Sequence, residues 1–206
     1  MENILVIIFS YLSGSIPFGL ILTKIFISKD IRKFGSGNIG TTNVLRVGNK
    51  LLAVFTLILD SLKGYVPVFI TINYYPELFP LSALTTFLGH LFPIWLKFNG
   101  GKGVATYLGI LFGLSIPLAL LFIFTWAAVL LIFKYASVAS LFATLTVFII
   151  SSIREIIIPV LKNLSDEEII LNNHLFILFI FLILIIYTHR KNISNLKNKT
   201  ETKIKI

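Results

Sequence analysis

Two glycine-rich stretches of this chain each carry a cation. The first, FGSGNIGTTNVLR (Phe34–Arg46), sets Gly35, Gly37 and Gly40 among Ser36, Asn38, Thr41, Thr42 and Asn43 and ends on Arg46. Glycines let backbone N–H groups converge, the short polar side chains add donors, and an arginine fork pairs bidentately with phosphate. That composition can cradle an oxyanion. A plain polar connection between helices is the competing reading, but it does not call for so many small donors beside one arginine. The second stretch, NGGKGVATYLG, surrounds Lys102 with Gly100, Gly101 and Gly103 and runs into an apolar segment from Val104. Glycines there permit close backbone approach, and a helix starting at Val104 would turn the positive end of its dipole toward an anion. A nucleotide P-loop is excluded, because GxxxxGK[ST] is absent. The bland alternative is a flexible turn with one interfacial lysine.

Lesser candidates surround these two. Asp60 and Lys63 stand one helical turn apart in LDSLKGY, an i, i+3 pair that could neutralise itself or serve a site. KYASVAS gathers the hydroxyls of Tyr135, Ser137 and Ser140 at a turn, although small residues there also favour close helix packing. His189 and Asn192 open a basic tail, where they could reach a site between helices. His90, in LGHLFP, reads as a hydrogen-bonded packing histidine, and His174 as a solvated one near an interface.

The elements that must position these residues follow from composition. Of 206 residues 56% are hydrophobic and only 13% charged, with 19 Phe and no Cys; mean hydropathy is +0.93. So little charge cannot cover a soluble domain of this length, which makes the chain an all-α polytopic integral membrane protein. The lack of Cys excludes disulfides, a thiol nucleophile and thiolate metal sites. Apolar runs place segments at Asn3–Thr23, Leu51–Ile72, Leu78–Leu96, Val104–Phe133, Val138–Ile153 and Ile169–Thr188. The first is too long and too interrupted by Gly and Pro for a cleaved signal. Pro17, Pro67, Pro93 and Pro117 predict kinks or breaks. Val104–Phe133 holds 30 residues where about 20 suffice for one crossing, so either one long tilted helix or two shorter ones, broken near Gly113–Pro117, fit it. Charge decides between them. Sixteen of the eighteen basic residues fall on one face if that block crosses twice or enters and returns, whereas the acids of Arg154–Glu168 fall on the other. The positive-inside rule makes the basic face cytoplasmic. The expectation is seven membrane segments, one pair short or re-entrant, with the N-terminus outside and the C-terminus in the cytoplasm. Residues 1–206 then form a single membrane-embedded domain. Its net charge of +9 is explained by topology and an anionic ligand, without nucleic acid.

Taken in order, these motifs resemble those of the bacterial acyl-phosphate:glycerol-3-phosphate acyltransferase family. The resemblance runs nearly the whole length: GSIPFG at Gly14–Gly19, SGNIGTTNVLR at Ser36–Arg46, DSLKG at Asp60–Gly64, GHLFPIWLKFNGGKGVAT at Gly89–Thr106, then KYASVAS and HRKN. It implies a seven-helix fold in the bacterial inner membrane, with the active site facing the cytoplasm. It implies that Ser36 and Arg46 are essential, that Gly100–Gly103 binds glycerol 3-phosphate, and that Lys102 and Ser140 line the phosphate site. His189 and Asn192 would be needed for activity. Gly37, Asn38, Gly40, Thr42 and Asn43 fall in the matching loop as substrate-binding candidates. The chain departs from the family at Thr41, where Ala is common, and in SNLKNKTETK, which lacks the Arg-Leu-Leu and Gly before the family's Thr-Glu. No role is therefore carried over to Glu201.

The implied reaction suits the residues. An acyl phosphate is a mixed anhydride with phosphate as its leaving group, so no protein nucleophile is required. The enzyme must hold two phosphate-bearing substrates with the glycerol 1-hydroxyl aimed at the carbonyl, which is positioning and charge stabilisation. The expected partners are acyl phosphate, glycerol 3-phosphate and membrane lipid, with no cofactor and no metal site visible. The proton acceptor is either His189 or a substrate phosphate oxygen. The acyltransferase type built on a His and an Asp with four residues between them does not fit, since none of His90, His174 and His189 has an Asp five positions on. An organic-phosphate transporter or other anion-binding membrane protein is the alternative; against it, transporters commonly show internal repeats and midplane charges, whereas here no span copies another and the polar clusters sit at one face. A lipid phosphatase would need an Asp/His-rich or paired-Arg constellation that the chain lacks.

Overall fold

The computed structural model describes residues 1–154 and 173–204, and among them every regular element is helical. Helix α1 (Glu2–Ser15) and α2 (Phe18–Ile27) flank Ile16 and Pro17. Proline has no N–H to continue the ladder, and Phe18 turns its own N–H back to the Ile16 carbonyl at 3.1 Å. After a 3-10 turn at Ile31–Lys33 come α3 (Thr41–Arg46) and α4 (Lys50–Tyr74). The Asn49 side chain caps α4 by accepting from Leu52 N at 2.9 Å. Pro67 was expected to kink or break α4, and the helix continues through it without a break. The carbonyl freed four residues earlier, that of Lys63, accepts from the Ser13 hydroxyl at 3.3 Å, which is the kind of neighbouring-helix rescue that lets proline sit inside a span.

Next come α5 (Phe79–Leu91), introduced and followed by 3-10 turns, α6 (Val104–Leu114) and α7 (Ile116–Phe133). The 30-residue block is thus two helices, parted at the extended Ser115. At 11 residues α6 is about 16 Å long, too short to cross a hydrocarbon core by itself. The chain then forms α8 (Ala136–Ser152), α9 (Asn173–Thr188) and α10 (Arg190–Lys197), the last two meeting at 53°. Among the described residues four stretches are long and apolar enough to span: Glu2–Ile27, Lys50–Tyr74, Pro76–Leu96 and Ile116–Phe133, or five if the bent α9–α10 pair counts as one. The expected acidic loop beyond Arg154 lies outside the described residues.

The helices fall into two compact units, Met1–Ala119 and Leu120–Ile206. In the first, α1 lies on α5 and α4 on α6. Both contacts use glycine for backbone-to-backbone approach: a Cβ on Gly14 would strike Thr86, and one on Gly109 would strike Ser61. In the second, α8 packs on α9, burying Ala143 and Val147 from one and Leu178 and Phe181 from the other.

Candidate active site

The first loop is organised from within. Asn43, 1% exposed, accepts from Ser36 N at 2.8 Å through Oδ1, and its Nδ2 donates to the carbonyls of Ile31, Phe34 and Asn38 at 2.8–3.1 Å. Asn38 Oδ1 accepts from Gly40 N at 2.9 Å. Asn43, one of the expected substrate-binding residues, thus ties the loop's own backbone together with its amide. Gly35 and Gly37 take positive φ values of 55° and 72°, and a side chain on Gly35 would collide with Asn43. The loop sits on a cluster of Leu20, Ile31, Ile39, Val44, Leu52 and Ala53. Of the expected site residues in this loop Ser36 and Gly37 are exposed, whereas Asn38, Gly40, Thr42 and Arg46 are half-buried. Nearby, Asp30 accepts from Arg32 Nε at 2.9 Å, and these side-chain hydrogen bonds hold its carboxyl well below the usual carboxylate range.

The lysine loop belongs to the same end of this unit, because Leu96, just ahead of it, packs on the same apolar cluster. Gly100 N donates to Leu91 O at 3.0 Å and Gly101 N to His90 O at 3.1 Å. Both N–H groups are thus turned to the end carbonyls of α5, and α6 begins just beyond, at Val104. Gly103 caps α6 with φ 82°, and a Cβ there would run into Phe87. The glycines face α5 on their side-chain side. Asp60 and Lys63 pair at 2.8 Å within α4, 2% and 4% exposed, and Lys63 Nζ also donates to Ile16 O at 2.6 Å, at the break between α1 and α2.

In the second unit, His189 stands at the α9–α10 bend, 2% exposed, with Nδ1 2.8 Å from Ile185 O. A carbonyl can only accept, so the neutral ring carries its proton on Nδ1 and leaves Nε2 as the basic nitrogen. Asn192 Nδ2 donates to Glu201 Oε1 at 2.6 Å, Ser137 Oγ donates to the same oxygen at 3.0 Å, and Asn195 Nδ2 reaches Oε2 at 3.3 Å. Glu201 thus gathers α8, α10 and the tail, a role to which motif reading assigned nothing; its one signal was a lone carboxylate in a basic tail. Ser140, one turn along from Ser137, donates to Ala136 O at 2.8 Å and accepts from Trp126 Nε1 at 3.1 Å.

Cationic, donor-rich loops at one end of a lipid-compatible helical unit, and a polar His/Asn cluster at the end of an apolar helix, define an integral membrane protein equipped for anionic ligands. The glycerol-3-phosphate acyltransferase family profile matches residues 4–199, and the chain belongs to that family. It is 52% identical to the glycerol-3-phosphate acyltransferase of Pelagibacter ubique across 100% of both chains. It is 48% identical to that of Mesorhizobium japonicum, covering 98% of this chain and 95% of the relative. Its fold is similar to the crystal structure of PlsY (YgiH), an integral membrane glycerol 3-phosphate acyltransferase, in the glycerol 3-phosphate form. That match has TM-score 0.85 and 34% identity over 100% of this chain and 96% of that one. The lysophosphatidic acid form of PlsY matches at TM-score 0.82 and 33% identity, with the same coverage.

Proposed function

We propose that this chain transfers a fatty acyl group from acyl phosphate to the 1-hydroxyl of glycerol 3-phosphate. The products are lysophosphatidic acid and inorganic phosphate, and the step opens phospholipid synthesis. The observation that carries the reading is the full-length likeness to PlsY, solved with the substrate and with the product named in its two forms. Acyl phosphate as donor is supported by the chemistry of the loops: two phosphate-bearing substrates need two cationic, donor-rich pockets.

In this reading Arg46, with Ser36, Gly37, Asn38, Gly40, Thr42 and Asn43, serves one phosphate, Lys102 and the start of α6 serve the other, and Ser140 is a further phosphate-binding residue. The 1-hydroxyl oxygen attacks the acyl carbonyl carbon, the carbon–oxygen bond to phosphate breaks, and the electron pair leaves on the phosphate. Two groups can take the hydroxyl proton, the departing phosphate or His189 Nε2, and Asn192 holds the His189 end of α10 to Glu201. The membrane arrangement is seven segments, counting α6 and α8 as short ones. The N-terminus lies outside, the C-terminus and site face the cytoplasm of a bacterial inner membrane, and residues 1–206 act as one domain. The purified protein, given acyl phosphate and glycerol 3-phosphate with acyl-CoA as the control donor, is expected to form lysophosphatidic acid from the former only. No product from folded protein refutes the reading, and uptake of glycerol 3-phosphate into proteoliposomes without acylation would replace it with a transporter.

A further inference from the structure

A packing histidine needs only a hydrogen-bond partner, and His90 has one: its Nδ1 lies 3.0 Å from Thr106 Oγ1. The rest of its surroundings ask for more. His90 closes the last turn of α5 and is 4% exposed, while Thr106 stands in the first turn of α6 and is fully buried. The ring therefore bridges the two helices that the lysine loop connects. The His90 carbonyl accepts from Gly101 N at 3.1 Å. The imidazole also fills the place where a Gly101 side chain would stand: a Cβ there would collide with Nε2 and lie 3.0 and 3.1 Å from Cε1 and Cδ2. Gly101 does not have a left-handed φ, so its backbone would accept a side chain, and His90 is what forbids one. Nor can the ring swing aside without leaving Thr106, whose backbone is itself pressed against Gly64 of α4.

We propose that His90 is a positioning residue for the reaction: its imidazole is the seat of Gly101 and so fixes where the adjoining Lys102 meets the phosphate of glycerol 3-phosphate. The inference rests on the assignment of the Lys102 loop to that substrate. It assigns His90 no contact with the reacting atoms.

The test is steady-state kinetics of His90→Asn, His90→Ala, Gly101→Ala, the His90→Ala/Gly101→Ala double variant and Lys102→Ala, with thermal unfolding measured in parallel. Asn keeps an amide where Nδ1 was, so the Thr106 bond and the melting temperature survive while the seat under Gly101 is emptied. A small misplacement of a binding group costs up to roughly a hundred-fold. His90→Asn and His90→Ala are accordingly expected to raise the KM for glycerol 3-phosphate roughly ten-fold or more, leaving that for acyl phosphate within about two-fold. The new methyl of Gly101→Ala fits the space the ring vacates, so the double variant should be no worse than the poorer single one, a non-additivity that marks direct contact. Should His90→Ala fail to fold, His90→Asn carries the kinetic comparison. The proposal is overturned if both His90 variants, folded, keep the glycerol 3-phosphate KM within about two-fold of the parent, or if the double variant is fully additive. Lys102→Ala separates the failures. A raised KM there with silent His90 variants removes the role of His90 alone, whereas an unchanged KM in Lys102→Ala removes the loop's assignment and the inference with it.

Discussion

Lys63→Met ought to be the most damaging single change in α4. Lys63 and Asp60 are nearly sealed from solvent and lie 2.8 Å apart. Removing the ammonium leaves a buried carboxylate with no counter-charge, and breaking such a pair typically costs about 3–5 kcal/mol. The Ile16 carbonyl also loses its charged donor, although Phe18 N still reaches it at 3.1 Å. For a chain of this length each kcal/mol moves the melting temperature by about 2–4 °C, so the expected loss is roughly 6–20 °C. Asp60→Asn combined with Lys63→Met removes both charges and should recover most of that loss, because a buried ion pair stabilises little relative to neutral residues of similar size. The assay is thermal unfolding of the detergent-solubilised protein, with specific activity of the folded fraction measured beside it. A single variant as stable as the parent, or a double variant as unstable as Lys63→Met, would refute the reasoning. A double variant that is stable but inactive would show instead that the charges serve the chemistry.

Arg46→Ala should lower kcat/KM by roughly a hundred-fold or more without lowering the melting temperature, and Arg46→Lys should restore only part, because a point charge cannot reproduce a bidentate fork; full activity of Arg46→Lys would show that charge alone suffices. Glu201→Gln keeps the shape but weakens three charge-assisted hydrogen bonds from Ser137, Asn192 and Asn195. It should loosen the tail by about 1.5–3 kcal/mol and speed limited proteolysis after Asn198, and an unchanged digestion pattern counts against the clasp. The chain has no native Cys, so single cysteines report topology directly: an impermeant maleimide should label Asn73→Cys from outside intact cells, but not Lys33→Cys or Lys197→Cys, and outside labelling of Lys33→Cys reverses the orientation.

Much of the helical framework was legible because lipid leaves a chain few options. Long apolar runs must be helices, and a proline without an N–H must break one unless something else satisfies the freed carbonyl. The break at Pro17 and the division of the 30-residue block at Ser115 follow from those local rules. Pro67 does not, because what spares α4 is the hydroxyl of Ser13, fifty residues away on another helix. Local rules name the carbonyl that proline leaves open, and only the packing of α1 beside α4 says who fills it.

In the candidate site the sequence shows which residue types gather, and not which of them brace the loops and which face outward. Asn43 and Ser36 look alike in a string of small donors, yet one is buried inside its loop and the other is exposed. The glycines around Lys102 carry the sharper lesson. Glycine beside a lysine suggests room for a ligand, but the side-chain face of Gly101 is closed by His90, and that of Gly103 by Phe87. The N–H groups of Gly100 and Gly101 satisfy the end carbonyls of α5, which a helix terminus otherwise leaves open. Such a loop is set before any substrate arrives. In the proposed transfer, which needs no protein nucleophile, rate comes from holding two substrates in register, and a donor that must first be ordered spends part of the binding energy on itself. Glycines that let the loop lie flat on α5 serve that requirement directly, by fixing where Lys102 and the opening turn of α6 stand.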